Sequence, residues 1–125
     1  MISTLLSVAL GGALGASARY LTGVAAVRLM GHGFPWGTLT VNIVGSFFMG
    51  AMVVVLSHYS ATRFAPLLIT GILGGFTTFS AFSLDAVTLF ERGQIGTAAG
   101  YVGASVVLSI LALFAGLIVA RGVFS

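Results

Sequence analysis

Four long apolar stretches, parted by short clusters of polar and turn-forming residues, set the pattern of this chain. The stretches cover about residues 2–27, 36–56, 64–90 and 95–120. Between them lie Gly31-His32-Gly33-Phe34-Pro35, Ser60-Ala61-Thr62-Arg63 and Glu91-Arg92-Gly93-Gln94. A helix needs roughly 20 apolar residues to cross the hydrocarbon core of a bilayer. Each stretch therefore predicts one transmembrane helix, and each cluster predicts a turn. Phe34, Trp36 and Tyr59 fall at stretch ends, where an interfacial aromatic belt would place them. No linker or low-complexity segment intervenes, so residues 1–125 predict a single all-α domain of four transmembrane helices.

The polar residues inside the stretches are themselves patterned. Thr38, Asn42 and Ser46 recur at i, i+4 and i+8 and share one helix face. Thr97, Tyr101, Ser105 and Ser109 repeat that spacing in the fourth stretch. Hydroxyl, phenol and amide groups all donate hydrogen bonds, and none carries a charge. Two such stripes facing each other would make a narrow polar path for a small anion. Interhelical hydrogen bonding is the plainer use, worth about 0.6 kcal/mol per bond.

The third stretch departs furthest from a lipid-facing helix. Residues Gly71 to Phe82 hold three glycines, three hydroxyl residues and three phenylalanines in twelve positions. Glycine and threonine lower helix propensity, and irregular backbone at membrane depth survives only where protein or a water-filled cavity covers it. A break at Gly74, Gly75, Thr77 and Thr78 is expected, marking the working part of a channel or transporter. Phe79 and Phe82, at i and i+3, share a face. An aromatic ring has a positive edge, which can contact an anion that has shed its water; otherwise such rings are packing. The neighbouring hydroxyls of Thr77, Thr78, Ser80 and Ser83 favour the pore reading. Gly11-x-x-x-Gly15, Gly71-x-x-x-Gly75 and Gly96-x-x-x-Gly100 add close-packing signals, which most often join helices of one subunit.

Composition narrows the class. With 58% hydrophobic and 6% charged residues and a mean hydropathy of +1.18, the chain cannot solvate the surface of a soluble domain, so its solvent is a lipid bilayer. The absence of cysteine excludes disulfides and thiolate metal sites. A net charge of +3 from scattered arginines is no nucleic-acid footprint, which needs a clustered basic face. His32 and His58 lie in loops without metal-ligand spacing, and there is no acid pair or His-activated nucleophile for an enzyme. The N-terminus lacks the charged region of a signal peptide, so the first helix is expected to be retained.

The five arginines fall almost evenly on the two sides. Four spans put Arg63 and Arg121 on one side and Arg28 and Arg92 on the other. Arg19 lies inside the first span, where a charge costs about 2.5–3.5 kcal/mol on insertion scales. It either draws anions into a vestibule or snorkels to the interface. Lys and Arg asymmetry sets orientation, so this near balance means either weak orientation or insertion both ways, with opposed copies forming an antiparallel dimer.

Three motifs together resemble one family. Gly11-Gly12-x-x-Gly15-Ala16-x-x-Arg19-Tyr20 is similar to the first helix of the small bacterial fluoride channels (Fluc, also called CrcB). Gly37-Thr38-Leu39-x-Val41-Asn42-x-x-Gly45-Ser46-Phe47 is similar to their second helix, and Gly71-x-x-Gly74-Gly75-Phe76-Thr77-Thr78-Phe79-Ser80-x-Phe82-Ser83 to their third. The resemblance covers nearly the whole chain. It implies a dual-topology homodimer in the bacterial inner membrane, with two pores that passively export fluoride from the cytoplasm. It implies that Phe79 and Phe82 supply ring edges and that Asn42 sets those rings and contacts the ion. Tyr101, Ser105 and Ser109 would be the polar residues of the fourth helix. The carbonyls of Gly74 and Thr77 would hold a structural Na+ on the dimer axis. Ala81 stands where many relatives carry threonine or serine, which removes one hydroxyl. Thr38, Ser46 and Ser80 complete the candidate fluoride path, with Arg19 in the vestibule.

The competing reading is a proton-coupled transporter of the small multidrug-resistance type. Coupling needs a titratable group on the path. The first, second and fourth spans hold no acid, and Asp85 lies near the end of the third. An accessory subunit would leave the two stripes and the break without a role.

Overall fold

The computed structural model describes residues 1–124, all of whose regular elements are helical. Helix α1 spans Ile2–Met30 and α2 spans Trp36–His58. The third span is composite. A single 3-10 turn, Thr62–Phe64, leads into a π-helix over Pro66–Leu73, then the short α3 (Gly74–Phe76) and α4 (Phe79–Glu91). Helix α5 spans Ile95–Phe124. Four segments, Ile2–Met30, Trp36–His58, Thr62–Glu91 and Ile95–Phe124, are long and apolar enough to cross a bilayer, making this a multi-pass membrane protein. Large apolar side chains such as Leu6, Leu10, Ile110 and Ile118 cover its outside, as a lipid solvent allows.

The third span ends in a local backbone cap. Gly93, at φ 81°, takes the left-handed conformation that closes α4, and the Gln94 N–H donates to the Leu89 carbonyl at 3.0 Å. Glycine adopts that conformation without a Cβ penalty.

The break lies later than expected. Gly74 and Gly75 remain helical, and the backbone becomes extended only at Thr77 (ψ 160°) and Thr78 (φ −156°, ψ 119°). The glycines serve close packing instead: a Cβ on Gly75 would sit 2.8 Å from the Gly12 carbonyl oxygen of α1. The π-helix before them was not anticipated. Its last turn shows the wider spacing directly, because the Gly74 N–H donates to the Ile69 carbonyl, five residues back. Such turns are rare and concentrate near functional sites.

Helix α1 lies on the first half of the third span. Gly11 and Gly15 permit this: a Cβ on Gly11 would fall 2.9 Å from the Gly71 Cα, and one on Gly15 would strike the Ile72 carbonyl. These two glycine motifs thus pack within the subunit. Gly96 and Gly100 meet nothing within 4 Å, so the third motif faces outward. Helices α2 and α5 pack along much of their length, with Gly50 on the Leu113 carbonyl and Gly116 on the Phe47 carbonyl. Near the α1–α2 turn, Leu39, Phe82, Leu89, Ala98 and Tyr101 form a buried cluster.

Candidate ion pathway

The break is shaped by a residue far away in sequence. Asn42, from α2, grips the backbone of Thr78 with both ends of its carboxamide. The Thr78 N–H donates to Asn42 Oδ1 at 2.8 Å, and Asn42 Nδ2 donates to the Thr78 carbonyl at 3.0 Å. The Thr78 hydroxyl accepts from the Ala81 N–H at 3.1 Å and so caps α4, the usual role of a threonine at that position. The Gly74 and Thr77 carbonyls would have accepted from the Thr78 and Ala81 N–H groups in a continuous helix. Both donors are committed elsewhere, which frees the two carbonyls.

Around this break lies a cavity of about 380 Å³, walled by α2, the break, α4 and α5. Asn42, Ser46, Thr77, Thr78, Phe79, Phe82, Ser105 and Ser109 line it, with Met49, Val106, Ile110 and Leu113 as apolar wall. Asn42 and Ser46 of one stripe and Ser105 and Ser109 of the other therefore share one space, Thr97 lies exposed outside it, and no acid or base lines it. The hydroxyl oxygens of Ser105 and Ser109 are buried and have no partner within the protein. Burying a hydroxyl unpaired costs about 1–3 kcal/mol by mutational measures, so two along one wall call for an explanation. Phe79 and Phe82 stand 5.4 Å apart, tilted at 52°. Their surroundings differ: Phe82 is 8% exposed and Phe79 78%.

A second cavity of about 270 Å³ opens beside the α1–α2 turn and is lined by His32, Trp36, Thr38, Asp85, Thr88 and Arg92 among others. Thr38, first on its stripe, belongs here rather than with Asn42 and Ser46. The ring of Tyr101 lies between Phe34 and Phe82, 5.4 Å from each. The Tyr101 hydroxyl donates to Asp85 Oδ2 at 3.2 Å. Asp85, which by sequence could cap, pair with an arginine or line a vestibule, lines this second cavity. Its spacing from Phe82 and Leu89, at i+3 and i−4, places it on the inward face of α4 and was the available signal for that placement.

Two candidates sit elsewhere. Ser80 is exposed and shares a 3.3 Å hydrogen bond with the Thr78 hydroxyl, outside the larger cavity's wall. Arg19 is half-buried, and its Nε donates to the Gly75 carbonyl at 3.0 Å.

A multi-pass helical protein with a broken span, and neutral donors gathered on one open cavity beside it, has the build of a small membrane channel. The family model described as "CrcB-like protein, Camphor Resistance (CrcB)" matches residues 6–117, and the chain belongs to that family. Its relatives include proteins named "Fluoride-specific ion channel FluC". The one from Cereibacter sphaeroides is 68% identical over 122 residues, spanning 98% of each chain. The one from Ruegeria sp. (strain TM1040) is 60% identical over 126 residues, and the one from Paracoccus denitrificans 58% over 125; both alignments span 100% of each chain.

Proposed function

We propose that this chain is a fluoride-selective channel of the bacterial inner membrane, passively exporting fluoride from the cytoplasm. The observation that carries the reading is the pair of buried, partnerless hydroxyls of Ser105 and Ser109 in the same cavity as the Asn42-held break. Fluoride is small and a strong hydrogen-bond acceptor. A path must replace its lost water with donors, and neutral donors do so without trapping the ion. Ser109, Ser105, Ser46, the remaining Asn42 N–H and the ring edges of Phe79 and Phe82 are assigned that role. Tyr101 and Thr38 continue the path toward the second cavity, and Ser80 borders it from outside.

The same reading assigns an antiparallel homodimer. The face bearing Gly74, Phe79 and Ser80 is exposed on the single chain. Polar backbone at membrane depth needs protein or water over it, and a second copy supplies the cover. The Gly74 and Thr77 carbonyls, freed by the break, fit a hard cation with oxygen ligands. A structural Na+ shared by two copies is the proposed occupant, binding through backbone oxygens alone. Passive flux is favoured over proton coupling because Asp85 borders the smaller cavity and not the larger.

Efflux from liposomes containing purified protein tests this. Fluoride should leave electrogenically without an imposed pH gradient, and chloride should barely follow. Equal chloride flux would refute selectivity, and a strict requirement for a pH gradient would favour the coupled transporter.

A further inference from the structure

Arg19 occupies a place that charge-gathering does not explain. Gly11, Gly15 and Arg19 recur at i, i+4 and i+8 and form one stripe of α1. The two glycines bring α1 against the backbone of the third span at Gly71 and Ile72. The next position on that stripe arrives where the span breaks. There Arg19 Nε donates to the Gly75 carbonyl at 3.0 Å in half-buried surroundings. In a continuous helix this carbonyl would accept from the Phe79 N–H. The extended backbone of Thr77 and Thr78 carries Phe79 away into α4. Gly75 itself is fixed against α1, since it has no room for a Cβ beside Gly12.

We infer that Arg19 is a positioning residue: its Nε–H clamps the Gly75 carbonyl and holds the upstream lip of the break, as Asn42 holds the downstream lip at Thr78. The clamp occupies the Gly75 carbonyl with a donor from α1. The role rests on the donor at Nε and not on the positive charge. For conduction, the inference depends on the fluoride-channel reading above; for the geometry of the break it does not.

Side-chain chemistry separates donor from charge. Glutamine carries Nε2 the same number of bonds from Cα as arginine carries Nε, so Arg19→Gln keeps the donor and removes the charge. Lysine has a methylene at that position, so Arg19→Lys keeps the charge and removes the donor there. Arg19→Met removes both. Fluoride efflux per folded protein should stay within about threefold of wild type in Arg19→Gln and fall at least about tenfold in Arg19→Lys and Arg19→Met. Hydrogen exchange of a peptide covering residues 74–80 should stay slow in wild type and Arg19→Gln and quicken in the other two. The flux loss should be the same at low and high ionic strength, whereas a charge that gathers anions loses its effect as salt screens it. Wild-type flux in Arg19→Lys with loss in Arg19→Gln would overturn the inference in favour of the charge. Equal flux and exchange in all variants, or equal loss in all three, would also overturn it. If Arg19→Lys and Arg19→Met fail to fold, a folded, conducting Arg19→Gln supports the clamp and a failed one refutes it. If the wild type passes no fluoride, the channel reading falls, and the exchange experiment alone decides the clamp.

Discussion

Asn42 shows how one side chain can be structural and functional at once. Its carboxamide holds both the N–H and the carbonyl of Thr78, so Asn42→Ala leaves two backbone groups unpaired in a half-buried place, each costing about 1–3 kcal/mol. The break should loosen, and fluoride efflux should fall at least about tenfold, or about 1.4 kcal/mol of barrier. Ser105 and Ser109 predict the opposite coupling. Their hydroxyls are buried without partners, and removing an unsatisfied group does not cost stability. Ser105→Ala and Ser109→Ala should therefore melt no lower than wild type in detergent while conducting more slowly. A lower melting point with unchanged flux would make them packing residues. The paired phenylalanines should also part. Phe82→Ala empties a position only 8% exposed and should cost about 3–5 kcal/mol. Phe79→Ile, at a position 78% exposed on the single chain, should slow efflux and leave the subunit's own fold intact.

The elements differ in how much of them the sequence discloses. Spans are legible because twenty apolar residues between turn clusters have few alternatives in a bilayer. The glycine motifs disclose close packing but not which helices meet: Gly11, Gly15, Gly71 and Gly75 join α1 to the third span, while Gly96 and Gly100 carry the same spacing and meet nothing within 4 Å. A Cβ on Gly15 would strike the Ile72 carbonyl, whereas one on Gly122 meets nothing within 4 Å. Gly15→Ala should therefore destabilise the protein by about 1–3 kcal/mol through overpacking, and Gly122→Ala should be neutral or stabilising, as read from thermal loss of the monodisperse peak. The exact register of the break is not legible. Glycine marks both weak helix and close contact, and here Gly74 and Gly75 are contact while Thr77 and Thr78 are the break. What moves the break is Asn42, 36 residues from Thr78, a pairing that no local pattern announces. The π-helix is hidden for a related reason: Pro66–Leu73 is apolar almost throughout, and a run without polar positions cannot register whether its hydrogen bonds reach back four residues or five. The Arg19 contact with Gly75 spans 56 residues and is equally invisible to spacing, although the stripe that delivers it is not.

At the scale of the molecule, the proposed antiparallel dimer answers to what the single chain leaves exposed. The break presents Gly74, Phe79 and Ser80 on an exposed face, and lipid offers no hydrogen bonds to what lies there. Arginine placement bears on which surface provides the cover. Arg63 and Arg121 lie on one side and Arg28 and Arg92 on the other, so the positive-inside rule gives this chain almost no preferred orientation. A protein that inserts both ways supplies its own opposed copy, and a two-fold axis in the membrane plane then brings two breaks together. The freed carbonyls of Gly74 and Thr77 would meet their symmetry mates around one cation. Orientation is thus a requirement of the proposed ion site and not a separate trait. C-terminal reporters active only inside the cell, or only outside it, should both report on the unmodified protein. Adding two or three lysines at the C-terminus should drive the population to one orientation, with that terminus inside. Each copy would then lack an opposed partner, and fluoride efflux from such cells should collapse. It should recover when a second version, biased the other way by neutral residues in place of Arg63 and Arg121 and by basic residues added near Arg92, is expressed alongside. Full efflux from the singly oriented population would show that opposed copies are not needed, and the antiparallel dimer would fall with that result.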